Sequence, residues 1–592
     1  MPVEALDLFC HFDRQRFSQF GSMDCANWYK IAVEKAKRQQ ALYPAMGRKH
    51  INSFSENKLV FELEPQQMFK TINYMYVIAG TQVFQIDKNF DKRLIGSIPL
   101  GRTVWFAYLP VGDIVYAILT AETIMYVITE NADGTVSYVP VTDTNAPTKP
   151  LYVAAFGNRF VVSQSGTPNY YLSRINLDGN AFNPANAFSF GSPPAPLFNR
   201  ATGVVRQFAV LNNQLYIFSD YQTDIWANVQ SQITVNNVTR TFPWKINTSY
   251  NFNVGLNDPL SLKVDFDMMV FQAQNSSGLI NFVASTGQKP QNIDSQAINV
   301  LLENSTQTDI VSPFLKGKTV GILYQYENTV FYRASAGPYT GEGELDDTEI
   351  ANAIEYNFST QTWHRVIELN GERNRIEKHV YFNNLNIVSV QGDSALYEMA
   401  GNIYHNETRT PGTQSQDANA FTKHPMRYTL VSPQIFQTDY SEFITDYLEI
   451  DFVFGDKTFY KNNAPFANAV FLVTEDAAPD GSPHYIVAED QIGGEDVYIL
   501  AEEGNTPGFD DNYYNQLFKP HIELYFSDDG GVTFNSADLR EFSQLGVYRW
   551  KMRWYELGAS RNRCYALVCV SSAPIVLLGA CHNPRRASGG AN

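Results

Sequence analysis

Tyr74-Met75-Tyr76-Val77-Ile78, a three-residue break, then Gln82-Val83-Phe84-Gln85-Ile86: two short apolar runs rich in aromatic and β-branched residues, close enough together to be strands of one hairpin. The same unit returns as Ile114-Val115-Tyr116-Ala117-Ile118 with Ile124-Met125-Tyr126-Val127-Ile128, and as Leu151-Tyr152-Val153-Ala154-Ala155 with Arg159-Phe160-Val161-Val162-Ser163. It continues through Gln207–Val210 with Gln214–Phe218, Met268–Gln272, Thr329–Arg333 with Ala353–Asn357, and Asn386–Val390. Strand pairs repeating every few tens of residues, from about Thr71 to Glu398, mark radial or stacked β-repeats. Four strands per unit at this spacing make roughly six or seven blades. The expected fold is all-β, a β-propeller of six or seven blades.

Composition agrees. Of 592 residues, 44% are hydrophobic and 14% aromatic, with 40 Phe and 34 Tyr, which favours strands over helices. That length exceeds one ordinary core, so two or three domains are expected. The formal charge of −17 comes without a sizeable basic patch, which excludes a protein that grips nucleic acid by its phosphates. An acidic surface suits a wall that DNA slides past, and it equally serves solubility. Cys10, Cys25, Cys564, Cys569 and Cys581 form no CxxC and meet no His at zinc-ligand spacing, so they read as reduced, partly buried thiols. The first ten residues lack a basic signal-peptide start, and no apolar run approaches a membrane helix.

The chain divides into residues 1–56, an N-terminal arm; 57–400, the propeller; and 401–592, a C-terminal antiparallel β-sandwich or platform. In the arm, Asn27–Ala41 predicts a short helix from the spacing of Trp28, Ile31, Ala32 and Lys35, stopped before Pro44. Turn chemistry at Asn131–Gly134, Leu177–Asn180 and Gln391–Asp393 separates propeller strands, and Asn228–Asn251 reads as an inserted hairpin. Alternating runs such as Tyr447-Leu448-Glu449-Ile450-Asp451-Phe452 and His521-Ile522-Glu523-Leu524-Tyr525-Phe526 supply the sandwich. Within it, residues 474–511 form an acidic hairpin insert with no Lys or Arg, carrying Glu489, Asp490, Glu495, Asp496, Glu502 and Glu503. Its carboxylates lack EF-hand spacing and read as a solvated projection rather than a calcium site.

The sharpest local motif is Ser527-Asp528-Asp529-Gly530-Gly531-Val532-Thr533-Phe534. Ser527, Asp529, Gly531, Thr533 and Phe534 resemble the Asp-box of sialidases and related propellers. That resemblance implies a structural hairpin turn remote from any active site. A glycosidase needs a paired acid and nucleophile; a sialidase adds clustered arginines, and nothing in the sequence groups Arg333, Arg365, Arg373 and Arg375. No GxSxG, HExxH, Walker A or GxGxxG occurs. No catalytic residue, metal ligand or cofactor site is therefore assigned, and the chain is expected not to be an enzyme.

The order of the pieces resembles the tail hub or nozzle family of short-tailed, podovirus-like bacteriophages, also described as packaged-DNA stabilisation proteins. Asn27-Trp28-Tyr29, then Leu42-Tyr43-Pro44 with Gly47, match its opening segment. Ala155–Ser163 leading to Tyr171-Leu172-Ser173, Phe208–Leu211 leading to Tyr216–Ser219, and Ala353–Asn357 with Thr362-Trp363-His364 look like its propeller strands. The closing run Asp528–Phe534, Gly546-Val547-Tyr548-Arg549-Trp550 and Leu557-Gly558-Ala559-Ser560-Arg561 is the most specific part, and the acidic insert is where this chain departs. The resemblance implies a structural virion protein: a homo-hexamer docked beneath the portal and adaptor (head-tail connector), extending the DNA channel. It would retain packaged double-stranded DNA and conduct it during ejection, without sequence-specific binding or membrane insertion. Its partners would be the adaptor and a tail fibre, spike, needle or plug, its place the virion tail, and its site of assembly the host bacterial cytoplasm. The acidic hairpin would face the channel or the distal tip. The alternative is a carbohydrate-binding or glycan-cleaving, sialidase-like propeller, and a third reading is a propeller scaffold unconnected with phage.

Overall fold

The computed structural model describes residues 4–6, 8, 11–14, 22–32, 40–52, 59–99, 103–173, 185, 187, 197–198, 203–235, 238–247, 252–303, 319–336, 353–410, 420–437, 441–454, 521–541 and 549–586. Seven blades of antiparallel strands follow one another along the chain, five as separate sheets and two within one larger sheet. Blade one pairs Pro65–Lys70, Met75–Ala79, Gln82–Ile86 and Lys92–Ser97. Blade two runs from Trp105 to Pro140, blade three from Pro150 to Phe198 and blade four from Gln207 to Ile246. Blade five runs from Gly255 to Asn292, blade six from Thr319 to Arg365 and blade seven from Ile376 to Ala400. The inserted hairpin in blade four is present, with Ser231–Val235 paired to Val238–Phe242.

Turn chemistry explains why the strands reverse where they do. The two-residue turns Gly157-Asn158, Asn212-Asn213, Phe266-Asp267, Glu327-Asn328 and Asn383-Asn384 all have both residues at positive φ. This is the backbone that matches the right-handed twist of a hairpin, and Asn, Asp and Gly tolerate it best. The Asn131–Gly134 and Gln391–Asp393 turns also fall between strands, with Gly134 and Gly392 at φ +81 and +76.

Blades cohere through the apolar layers between them. Tyr76, Ile78 and Val83 of blade one meet Ala117, Leu119 and Ile128 of blade two. Equivalent layers join blades two and three, three and four, four and five, five and six, and six and seven. Met75 and Val77 of blade one then pack against Val380, Phe382 and Ile387 of blade seven, which closes the ring. The chain is a seven-bladed β-propeller.

Closure uses the N-terminal segment. Gly47–His50 pairs antiparallel with Leu396–Ala400 as the fourth strand of blade seven. These strands do not stand apart as an arm, and the described ends of Asn27–Ala41 are strand rather than helix. Trp28–Ala32 and Gln40–Pro44 are paired strands, Trp28 opposite Pro44 and Ala32 opposite Gln40; residues 33–39 lie outside the described residues. Trp28 enters the sandwich core while its neighbour Tyr29 enters the apolar layer between blades six and seven. Adjacent residues buried on opposite sides demand a period of two, so the apparent helical spacing loses to strand alternation.

The sandwich packs two sheets face to face. One contains Trp28–Ala32, Gln40–Pro44, Ile575–Arg586, Phe443–Phe454 and Arg549–Tyr555; the other contains Ser22–Ala26, Phe421–Val431, Cys564–Ser571, His521–Ser527 and Asn535–Glu541. Trp28, Leu448, Ile450, Phe452 and Trp554 meet Tyr428, Leu430, Leu524, Leu567 and Cys569 between them. Among the described residues, Cys25, Cys564, Cys569 and Cys581 are thiols rather than disulfide partners. The second sheet does not end at the sandwich. It continues through Thr362–Arg365 into blade six and through His405–Arg409 and Gly47–His50 into blade seven, so one hydrogen-bonded sheet spans sandwich and propeller.

Candidate functional site

The Asp-box-like turn forms as a self-contained hydrogen-bond knot. The Asp529 carboxylate accepts from the Ser527 hydroxyl (2.6 Å), the Thr533 hydroxyl (2.6 Å) and the backbone N–H groups of Val532 (3.0 Å) and Thr533 (2.9 Å). The Ser527 hydroxyl in turn accepts from Gly531 N–H at 2.8 Å. These bonds, the Ser527 and Thr533 hydroxyls foremost, hold Asp529 well below the usual carboxylate range. Phe534, just before the strand Asn535–Glu541, is exposed. Beside the knot, the buried Arg563 guanidinium donates to Asp528 at 2.7 and 2.9 Å, tying the turn to the strand that starts at Cys564. The Ser527, Asp529 and Thr533 side chains are spent on the turn's own geometry, while Asp528 and the Gly530 carbonyl tie it to Arg563 and Gln434. Glu489, Asp490, Glu495, Asp496, Glu502 and Glu503, with the whole 474–511 insert, lie outside the described residues.

The candidate arginines do not converge. Arg333 is buried against Glu355 (2.8 Å) and Asn374 (3.1 Å), Arg365 pairs with Asp24 (2.8 and 2.5 Å), and Arg373 donates to Gln391. His364 is buried, 3.0 Å from Glu355. Burial alone would raise Glu355, but the Arg333 charge and the His364 and Tyr324 hydrogen bonds bring it down to about 2. This is a structural lock inside blade six.

A second lock holds the seam where blade seven meets the sandwich. Buried Arg48 forks onto Glu368 (2.6 and 3.2 Å) and donates to the Glu407 carbonyl at 3.1 Å. The Glu407 carboxylate accepts from His50 N–H at 2.9 Å, with the His50 ring at 2.5 Å and the His405 ring at 3.3 Å. Burial opposes the charge on Glu368 and Glu407; the Arg48 charge for one and the histidine hydrogen bonds for the other outweigh it and depress both.

The inner strands gather a different set of charges. Asp258, 1% exposed, caps the Pro259–Ser261 turn through Leu260 N–H at 2.9 Å. Burial raises it to about 7, and burial with the neighbouring Lys378 charge lowers Lys263 to about 8.

Two of the hollows on the described surface differ in what their polar groups are doing. One, of about 670 Å³, lies on the sandwich flank between Asn535–Glu541 and Arg549–Tyr555. Its three cations are each paired with a carboxylate: Arg540 with Asp538, and Lys551 and Arg553 with Glu449. The other, of about 680 Å³, lies on the propeller face, among four turns of blades one and two. They are Thr71–Tyr74, Asp87–Phe90, Pro110–Asp113 and Asn131–Gly134. Sequence reading found the last of these as a turn and missed the cleft, because four turns from two blades meet only once the blades stack.

One buried carboxylate sets the geometry of this cleft. Glu130, 2% exposed in blade two, accepts from three groups of blade one: Thr71 hydroxyl (2.6 Å), Tyr76 hydroxyl (2.8 Å) and Asn73 side-chain amide (3.0 Å). Burial first, then the Glu130 charge, pushes the Tyr76 phenol far above its ordinary value, so it stays a donor. The Thr71–Tyr74 turn is thereby fixed over the neighbouring blade.

No protein-family model matches the chain, and no curated protein matches it. Among solved structures it is similar to the Pan2 WD40 domain of Neurospora crassa, at 6% identity and a TM-score of 0.34 over 63% of this chain and 98% of that one. It is similar to the Dos1 propeller, at 9% identity and a TM-score of 0.33 over 65% and 96%. Virginiamycin B lyase from Staphylococcus aureus, with quinupristin, gives 9% identity and a TM-score of 0.32 over 60% and 99%. Scores this low carry no argument; the assignment to the β-propellers rests on the strand pairing and the closed set of interblade layers.

Proposed function

We propose that this chain is a non-catalytic structural protein of a virion tail, the nozzle or hub of a short-tailed phage, working as a homo-hexameric ring below the portal and adaptor. The observation that carries this reading is the sheet running from blade six through the sandwich into blade seven. A propeller held only by blade packing can part at its seam. Here the seam is bridged by backbone hydrogen bonds and by the Arg48–Glu368 fork, a unit suited to load from packaged DNA. The charge of −17 keeps a polyanion from adhering to the wall of such a conduit. The resemblance of the segments around Asn27 and Asp528–Arg561 to the nozzle family supports the same role. Ring closure by six identical head-to-tail contacts follows the rule for heterologous interfaces.

Electron microscopy of the purified protein together with its adaptor, and of intact particles, tests this. A six-fold tube at one particle vertex is expected. Monomers that fail to form a ring on the adaptor, with no matching density on particles, would sink the reading.

A further inference from the structure

We propose that the cleft between blades one and two is a binding site for a neutral saccharide chain. This goes beyond the structural role and does not depend on it. The walls offer polar groups that nothing else uses. Among the described residues, the Lys88 ammonium, the Asn89 side-chain amide and the Asp113 carboxylate make no hydrogen bond or ion pair, whereas in the hollow on the sandwich flank Arg540, Lys551 and Arg553 are each paired with a carboxylate. Asp87 is already committed, accepting from Asn89 and Asp91 N–H groups at 2.8 and 2.9 Å. One free cation and one free carboxylate remain, so the site favours neither a polyanion nor a polycation.

The same walls carry apolar surface. Ile72 is 57% exposed, Pro110 is exposed, and the Tyr74 ring is half-buried beside them. An amide that donates and accepts beside a carboxylate that accepts, next to apolar patches, matches a ligand with hydroxyls on its edges and C–H groups on its faces. The Glu130 clamp adds preorganisation. It holds the Thr71–Tyr74 wall before any ligand arrives, which lowers the ordering cost of binding. Asn89 and Asp113 contact the sugar hydroxyls; Glu130 is a positioning residue.

The test uses the full chain against immobilised neutral oligosaccharides of hexose and N-acetylhexosamine units, then calorimetric titration with the best-retained sugar. The N89A/D113A variant, altered only at groups outside any hydrogen bond network of the fold, should melt as the parent does and bind at least tenfold more weakly. The D538A variant, on the sandwich flank, should bind like the parent. E130Q should weaken binding while N89A/D113A/E130Q adds little further loss. No retained sugar with the parent chain, or unchanged affinity in N89A/D113A, overturns the proposal. Ring assembly on the adaptor, scored by electron microscopy in the same variants, separates this outcome from failure of the nozzle reading.

Discussion

Asn27 shows how much one residue can hold. It sits at φ +57, fully buried, at the point where the chain leaves Ser22–Ala26 in one sandwich sheet for Trp28–Ala32 in the other. Asn is among the few residues that accept this conformation at modest cost. Its amide donates to the carbonyls of Ile367 and Arg427, both at 2.7 Å, and its side-chain oxygen accepts from Ile367 N–H at 3.1 Å. One side chain thus joins the loop after blade six to a sandwich strand. Removing it takes a partner from two buried backbone groups of Ile367 and from the part-buried Arg427 carbonyl, at about 1–3 kcal/mol for each group left unpaired before relaxation. N27A should lose about 3–5 kcal/mol of stability in denaturant unfolding. N27G relieves the backbone, which is worth about 1–2 kcal/mol, and should recover that part alone. If N27A matches the parent, the corner is not held by these bonds.

At the scale of the element, the strand Gly47–His50 has two jobs. Its backbone completes blade seven, and its side chains lock that blade to the sandwich through Glu368 and Glu407. Removing one partner of a buried pair costs about 3–5 kcal/mol because the other charge stays behind. R48M should therefore destabilise strongly, and R48M/E368Q should regain part of the loss; equal melting temperatures for the two would refute a charge-based lock. The carboxylates also set an acid limit. Glu355, Glu368 and Glu407 are all held below their unfolded values, so their contribution is complete above about pH 4.5. It declines as pH falls, for Glu355 until about pH 2, where the folded group protonates. Melting temperature measured from pH 6 to pH 2 should fall steeply below pH 4.5, and less steeply in E355Q/R333M, where the charged pair is gone.

For the whole molecule, the shared sheet predicts one folding unit. A propeller and sandwich joined by a flexible linker would melt separately, but here Ser22–Ala26 and Gly47–His50 contribute strands to both bodies. Calorimetry should show a single transition. Deleting residues 1–52 should abolish cooperative melting, because blade seven loses its outer strand and the sandwich loses Trp28, which is fully buried and donates to the Ile575 carbonyl at 2.9 Å. Two transitions in the intact chain, or a truncated chain that melts normally, would contradict this coupling.

Much of this architecture was legible in residue order, and for a physical reason. Strand pairs within a blade are neighbours in sequence, so the alternation at Tyr74–Ile78 and Gln82–Ile86 and the turn at Asn131–Gly134 report local geometry directly. The Asp-box-like knot was legible too, because all its bonds fall within Ser527–Thr533. Long-range pairing was not. Whether Trp28 lies on a helix or a strand depends on Gln40–Pro44 beside it and on Ile575–Arg586 beyond, more than five hundred residues away. Local spacing cannot encode a partner so distant, and burial on both faces overrides helical periodicity once that partner arrives. The cleft of blades one and two has the same origin. Thr71–Tyr74 and Asn131–Gly134 are ordinary turns in the sequence, and they become walls of one cavity once the blades stack and Glu130 bonds across to the neighbouring blade.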